Sequence, residues 1–267
     1  MIKDYFVIDA HCHIYPEKIA AKAVKATDNF YGVDSHGKGT AIDLIKRSKK
    51  AGVDHAIVQS VATTPLQVES INRFIAKEVS ESNGFLTGLG TLHPDSDDLE
   101  ADVRLIKELG LKGVKLHPDI QNFKMDTERL FEMYGICQRE ELVMLIHTGD
   151  NRYDNSNPDR VLRVLKAFPK LRVIGAHLGG WSVWEEASKK LSSFENFYVD
   201  SSSSFGFSEK NIIKDALLTY GADKVLFATD YPMWSAKKEL KNILSLKLSE
   251  DEYIKIFFQN AKKLFGI

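Results

Sequence analysis

The sequence predicts an α/β chain folded as a single-domain (β/α)8 TIM barrel over residues 1–267. Three observations carry this. Eight short apolar or β-branched runs recur along the chain, amphipathic segments of helical spacing lie between them, and 267 residues is the usual size for eight such units around one core. The runs fall at residues 5–13, 55–62, 85–92, 113–117, 142–147, 172–177, 197–201 and 225–230. Strands that alternate with helices imply parallel pairing.

The first run, YFVIDAHCH, ends in alternating polar residues. Strand alternation predicts Asp9, His11 and His13 on one face, with Cys12 turned to the other as a small buried residue. Asp9 is then expected deeper inside the barrel, holding Lys115 or a histidine. The turn that follows, HCHIYPEK, lacks the G-x-G-x-x-G that an open doubly wound sheet would use to cradle a pyrophosphate. Helical spacing follows in AIDLIKRSKKAG (41–52), PLQVESINRFIAKEVSES (65–82), LEADVRLIKELG (99–110), TERLFEMYGICQREE (127–141) and PDRVLRVLKAFP (158–169). Pro65 and Pro158 stand near helix starts and Gly52 and Gly110 just past helix ends, where each costs least. No internal repeat or linker divides the chain.

Composition narrows the function. A net charge of −1 and a pI near 6.7, with acids and bases interleaved, give no basic face for nucleic acid or an anionic membrane. The basic run 46–50 reads as a solvated helix face. No run of 18 apolar residues and no leader pattern occurs, and two cysteines make no disulfide framework. A cytoplasmic enzyme acting on a small molecule is expected, with a homodimer compatible.

Catalytic groups of such barrels sit at the C-terminal ends of the strands. Six of the eight histidines fall there, at His11, His13, His93, His117, His147 and His177; His36 and His55 do not. Asp230 ends the eighth run. One histidine after a strand is an ordinary loop residue, but six at one end describe a rim. Zinc or iron takes three or four N/O ligands at about 2.0–2.2 Å, and His11, His13, His147 and Asp230 make such a set.

The ordered series His-x-His, Lys115, His147, His177, Asp230, on runs one, four, five, six and eight, resembles the amidohydrolase superfamily. The details GVKLHP, HTG, AHLGG, TDYP and NAKKLFGI are most similar to its amidohydrolase-related branch, which holds hydrolases and lactonases beside aminocarboxymuconate-semialdehyde decarboxylase-like enzymes. The resemblance implies metal ligands His11, His13, His147 and Asp230, with Asp230 and His177 catalytic. Asp230 would move protons, and His177 would place a donor where negative oxygen develops. It implies one divalent metal, Zn2+ for preference. In a two-metal variant, His177 and a carboxylated Lys115 also become ligands. As a plain ammonium, Lys115 instead offers its charge to a substrate carboxylate, or pairs with Asp9 inside the barrel.

Substrate-binding candidates are Lys115, His117 and Arg152, the last on the polar loop 149–155, where a bidentate carboxylate contact is expected. Trp181, Trp184 and Trp234 could wall the pocket. The expected function is hydrolysis of a small, anionic ester, lactone or amide by metal-activated water. The alternative is a metal-dependent, non-oxidative decarboxylase of an aromatic or unsaturated acid. The shortness of the chain weighs toward the hydrolase.

Overall fold

The computed structural model describes residues 5–267. Eight parallel strands close into a barrel: β1 (Ile8–His13), β2 (His55–Gln59), β3 (Leu86–Gly88 and Gly90–Thr91), β4 (Gly113–Leu116), β5 (Val143–Ile146), β6 (Val173–Gly175), β7 (Phe197–Asp200) and β8 (Val225–Leu226). The ladder breaks at Leu89, splitting β3 in two. Closure between β8 and β1 comes from Ala10 N–H to Phe227 O (2.9 Å) and His13 N–H to Tyr231 O (2.6 Å).

The helices are α1 (Glu17–Tyr31), α2 (Ala41–Ala51), α3 (Val68–Glu81), α4 (Leu99–Glu108), α5 (Pro118–Gln121), α6 (Glu128–Arg139), α7 (Pro158–Ala167), α8 (Trp184–Leu191), α9 (Lys210–Tyr220), α10 (Ala236–Leu244), α11 (Glu250–Ile254) and α12 (Asn260–Phe265). All five predicted helical segments form. Pro65 starts a 3-10 turn rather than α3 itself. Capping explains several limits: the Thr40 and Asn157 side chains accept from Asp43 N and Arg160 N, and Gly52 closes α2 in the left-handed conformation. No helix among the described residues is long and apolar enough to cross a membrane.

Strand alternation separates two apolar layers. Ile57, Leu89, Val143, Leu145, Ile174, Leu226 and Ala228 fill the barrel interior, joined by Leu264 and Phe265 of α12. Their neighbours Val58, Val114, Met144, Ile146 and Val173 pack outward in the larger helix-facing core. In β1 the phase changes. Ile8 and Ala10 belong to the interior layer, yet Cys12 belongs to the outer one. The pairing with β2 shows why: Asp9 opposes Ala56, but Cys12 opposes Val58, so three steps on β1 match two on β2. This is a β-bulge, and it rotates the strand by one residue.

The bulge overturns one expectation. Asp9 does not share a face with His11 and His13, and it does not pair with Lys115. Its carboxylate accepts from Thr229 N (2.9 Å) and Thr229 Oγ1 (2.6 Å), tying β1 to the chain beside Asp230. Burial pushes Asp9 up to about 6, with those Thr229 bonds opposing. Cys12 is buried as expected.

Candidate metal centre and active site

The bulge leaves His11 and His13 at the C-terminal mouth of the barrel beside Asp230. His11 Nε2 lies 3.1 Å from His13 Nε2, and Asp230 Oδ1 lies 3.4 and 3.5 Å from these nitrogens. Those edges suit three ligands around one cation with bonds of about 2.0–2.2 Å. The three form a group able to hold a metal.

Burial lowers the His13, His117 and His147 imidazoles well below their ordinary range, and brings His177 to about 4. Neutral rings keep the lone pairs that a metal needs. Asp230 stays ionised: burial would raise it, but His11, His177, His13 and the Ser203 hydroxyl hold it well below the usual carboxylate range. His177 and Asp230 both have positive φ, 60° and 58°, a strained backbone of the kind that collects at functional sites.

The surrounding hydrogen bonds fix which nitrogen faces the centre. His11 Nδ1 bonds Asp200 Oδ2 at 2.9 Å, so its Nε2 lone pair points inward. Asp200 Oδ1 also accepts from His177 N, Ser202 N and Ser202 Oγ. His177 Nδ1 lies 3.1 Å from Ser202 O, a carbonyl that can only accept, so Nδ1 carries the hydrogen and Nε2 the lone pair. This differs from the donor role expected of His177. Its Nε2 meets His147 Nδ1 at 3.0 Å, forming a second convergence next to the first. His147 therefore joins His177 rather than the His11–His13–Asp230 triangle. Its Nε2 lies 3.7 Å from the buried carboxylate of Asp119.

Lys115 is 1% exposed and stands at the floor, its Nζ 3.2 Å from His11 Nε2. Burial lowers it to about 8, while Asp230 and Asp200 pull it back up. His117 stacks on His147 with centroids 4.1 Å apart. Its Nδ1 accepts from Ile120 N, so Nε2–H donates to Tyr31 Oη at 2.8 Å. The Tyr31 hydroxyl hydrogen is thereby left to donate elsewhere, and burial holds the phenol well above its ordinary range, hence protonated.

A cavity of about 700 Å3 opens above this floor. Of the predicted residues it is lined by His11, His13, Lys115, His117, His147, His177 and Asp230. Arg152 does not line it. The guanidinium donates to both Asp150 oxygens and to Phe30 O, and lies among the rings of Phe30, Tyr31, Tyr153 and Trp181. It fastens the 149–155 loop to the end of α1. The three tryptophans are structural too: Trp184 Nε1 donates to His177 O, Trp234 Nε1 to Ser203 Oγ, and Trp181 packs on Tyr31. Trp181 precedes α8, so it and Trp184 do not share a helix face. His93 accepts from Asp95 N away from the lining.

The sequence reading missed Asp200, Ser202 and Ser203, Asp119 and Tyr31. The acid near the end of the seventh run, in YVDSSSS, was a usable signal for Asp200; Tyr31 had none, because it enters from a helix.

The model of the amidohydrolase family matches residues 8–267. The γ-resorcylate decarboxylase of Polaromonas sp. strain JS666 is 23% identical over 88% of this chain and 85% of its own. Among solved structures, a dihydroxybenzoic acid decarboxylase of Polaromonas sp. JS666, with bound manganese and 2-nitroresorcinol, superposes with a TM-score of 0.75 at 18% identity. That match spans 98% of this chain and 97% of the decarboxylase. A Pseudomonas putida protein assigned as a 2-pyrone-4,6-dicarboxylic acid hydrolase gives 0.70 at 17% identity, over 98% and 97%. At such identities the structures demonstrate a shared barrel. The curated relative favours the decarboxylase alternative over the expected hydrolase. The length argument fails as well, since a decarboxylase is matched over almost its whole chain.

Proposed function

The chain belongs to the amidohydrolase family, and from that premise we propose that it is a metal-dependent, non-oxidative decarboxylase of an aromatic carboxylic acid. The observation that carries this is the chemistry of the cavity: a buried floor of imidazoles, Asp230 and Lys115 beneath walls that include the apolar and aromatic side chains Phe30, Tyr31, Ile71 and Phe74. Such a floor suits an aryl carboxylate whose ring is removed from water.

The residues present fit a divalent cation. Three converging N and O atoms, a His13 imidazole kept neutral by burial and a His11 ring oriented by Asp200 are what a transition metal requires. His11, His13 and Asp230 would hold it, with His147 and His177 adjacent. When bound, such a cation supplies Lewis acidity to substrate oxygens. Two imidazoles and a carboxylate suit manganese as well as zinc.

The chain's own groups supply the rest. Lys115 provides a positive charge for the substrate carboxylate. Tyr31 offers a hydroxyl donor aligned by His117. Asp230, ionised, is in place to receive a proton from a ring hydroxyl and return it to the ring carbon. The carbon–carbon bond breaks, its electron pair stays on that carbon, the proton takes the vacated position, and CO2 leaves.

The test is a screen of metal-loaded protein against hydroxybenzoates, carboxyvanillate, lactones and esters, following released CO2 and hydrolysis together. CO2 from an aromatic acid supports the proposal. Hydrolysis of a lactone or ester without CO2 from any acid overturns it.

A further inference from the structure

Above the histidines and Lys115, the apolar side chains Ile19, Ala23 and Phe30 of α1 and Ile71 and Phe74 of α3 line the same space, with Lys18, Thr27, Gln67 and Ser70 among them. With 15 residues α1 is the longest helix described, yet only Ala20 and Asp28 in it are buried. Ile19 stands 44% exposed. Residues 19, 23 and 30 follow the spacing of one helix face. Ordinarily such a face would be covered by the barrel core. Here it borders the cavity, so whatever enters the cavity covers it.

Volume points the same way. About 700 Å3 lies in the range that encloses drug-sized ligands, and one ring bearing a carboxylate leaves much of it unfilled. The position opposite the carboxylate is the one directed away from the floor. Ala23 stands in the middle of the apolar face, where a longer side chain would occupy the gap.

We propose that the substrate is a two-part acid. Its aryl carboxylate sits on the floor, and an apolar substituent of several carbons, opposite the carboxylate, lies between α1 and α3. Ala23 sets the space for that substituent. The decarboxylase reading is needed only for the head of the molecule.

The probes are 2,6-dihydroxybenzoate and its 4-methyl, 4-propyl and 4-pentyl derivatives, with the 5-alkylresorcinols that decarboxylation would yield. KM for the acids and calorimetric Kd for the resorcinols, measured on metal-loaded protein, should fall by up to about fourfold per methylene. In Ala23→Leu, checked for fold by circular dichroism, the advantage of pentyl over unsubstituted should shrink at least tenfold. Chain-length independence of both KM and Kd in the unaltered protein overturns the proposal, whatever the variant does. If no acid releases CO2 but the resorcinols still bind better with length, and lose that gain in Ala23→Leu, the apolar subsite stands and the decarboxylase reading fails.

Discussion

Replacing Asp200 by asparagine should weaken divalent-metal binding while leaving the fold in place. One Asp200 oxygen accepts from His177 N (3.1 Å), Ser202 N (3.0 Å) and the Ser202 hydroxyl; the other bonds His11 Nδ1 at 2.9 Å. In Asp200→Asn the amide oxygen must stay with the three donors, because an NH2 group there would face all of them. The amide nitrogen then faces His11 Nδ1. His11 can meet that donor only by moving its hydrogen to Nε2, the atom that lies 3.1 Å from His13 Nε2 and 3.4 Å from Asp230 Oδ1. A ring carrying hydrogen on Nε2 offers no lone pair to a cation there.

Outer-shell changes of this kind typically cost 10–100-fold in metal affinity, about 1.4–2.7 kcal/mol. Competition with a chromophoric chelator would measure Kd for Mn2+ and Zn2+ in both proteins, and the absorption of a Co2+ derivative would report loss of a nitrogen ligand. Thermal unfolding of the metal-free proteins separates this from general damage. A Kd within twofold of the unaltered protein, with an unchanged Co2+ spectrum, would refute the reasoning. Asp200 would then be a structural acceptor only.

His13→Ala removes a corner of the triangle and should lower both metal content and CO2 release by at least about a hundredfold, measured by metal analysis after gel filtration. Arg152→Ala should destabilise the fold by about 1–2 kcal/mol in urea, a figure reduced for an arginine side chain that is 37% exposed; KM for acids should change far less than loss of a carboxylate anchor would require. Glu239, in α10, is pushed up to about 7 by burial. A carboxyl raised in the folded state stabilises below its unfolded value near 4.3 and loses that contribution as pH rises through about 7. Glu239→Gln should therefore flatten the fall in Tm between pH 5 and 8, and a parallel pair of curves would count against the assignment. Tyr31→Phe removes the hydroxyl that His117 aligns and should lower kcat/KM by about tenfold without changing metal Kd.

Which parts of this were legible in the sequence follows from the range of each signal. Helices α2, α4, α6 and α7 announce themselves through local spacing and caps, and strand ends through apolar runs that stop in histidine. Tyr31 depends on where the end of α1 lands relative to the fourth strand, and Asp119 on a four-residue helix; neither position leaves a local pattern. Arg152 shows the opposite error. Its residue type and loop were right for a carboxylate, but Asp150, two residues away, satisfies it within the chain.

The β1 bulge explains why His11 and His13 share a face as alternation predicts while Asp9 does not join them. Period-two alternation is local and cannot register an extra residue, because only the partner strand defines how many residues each step spans. With strict alternation, a barrel lined by Ile8 and Ala10 would send His11 and His13 out among the helices. With the bulge, the same strand first contributes apolar packing to the barrel interior and then turns both imidazoles into its mouth. Asp9 is released to the outer face by the same shift, where it fastens Thr229. The residue next to Thr229 is Asp230, so the shift that orients two proposed ligands also anchors the segment carrying the third. An insertion or deletion of one residue between Asp9 and His11 would therefore disturb all three proposed ligands, although it touches none of them.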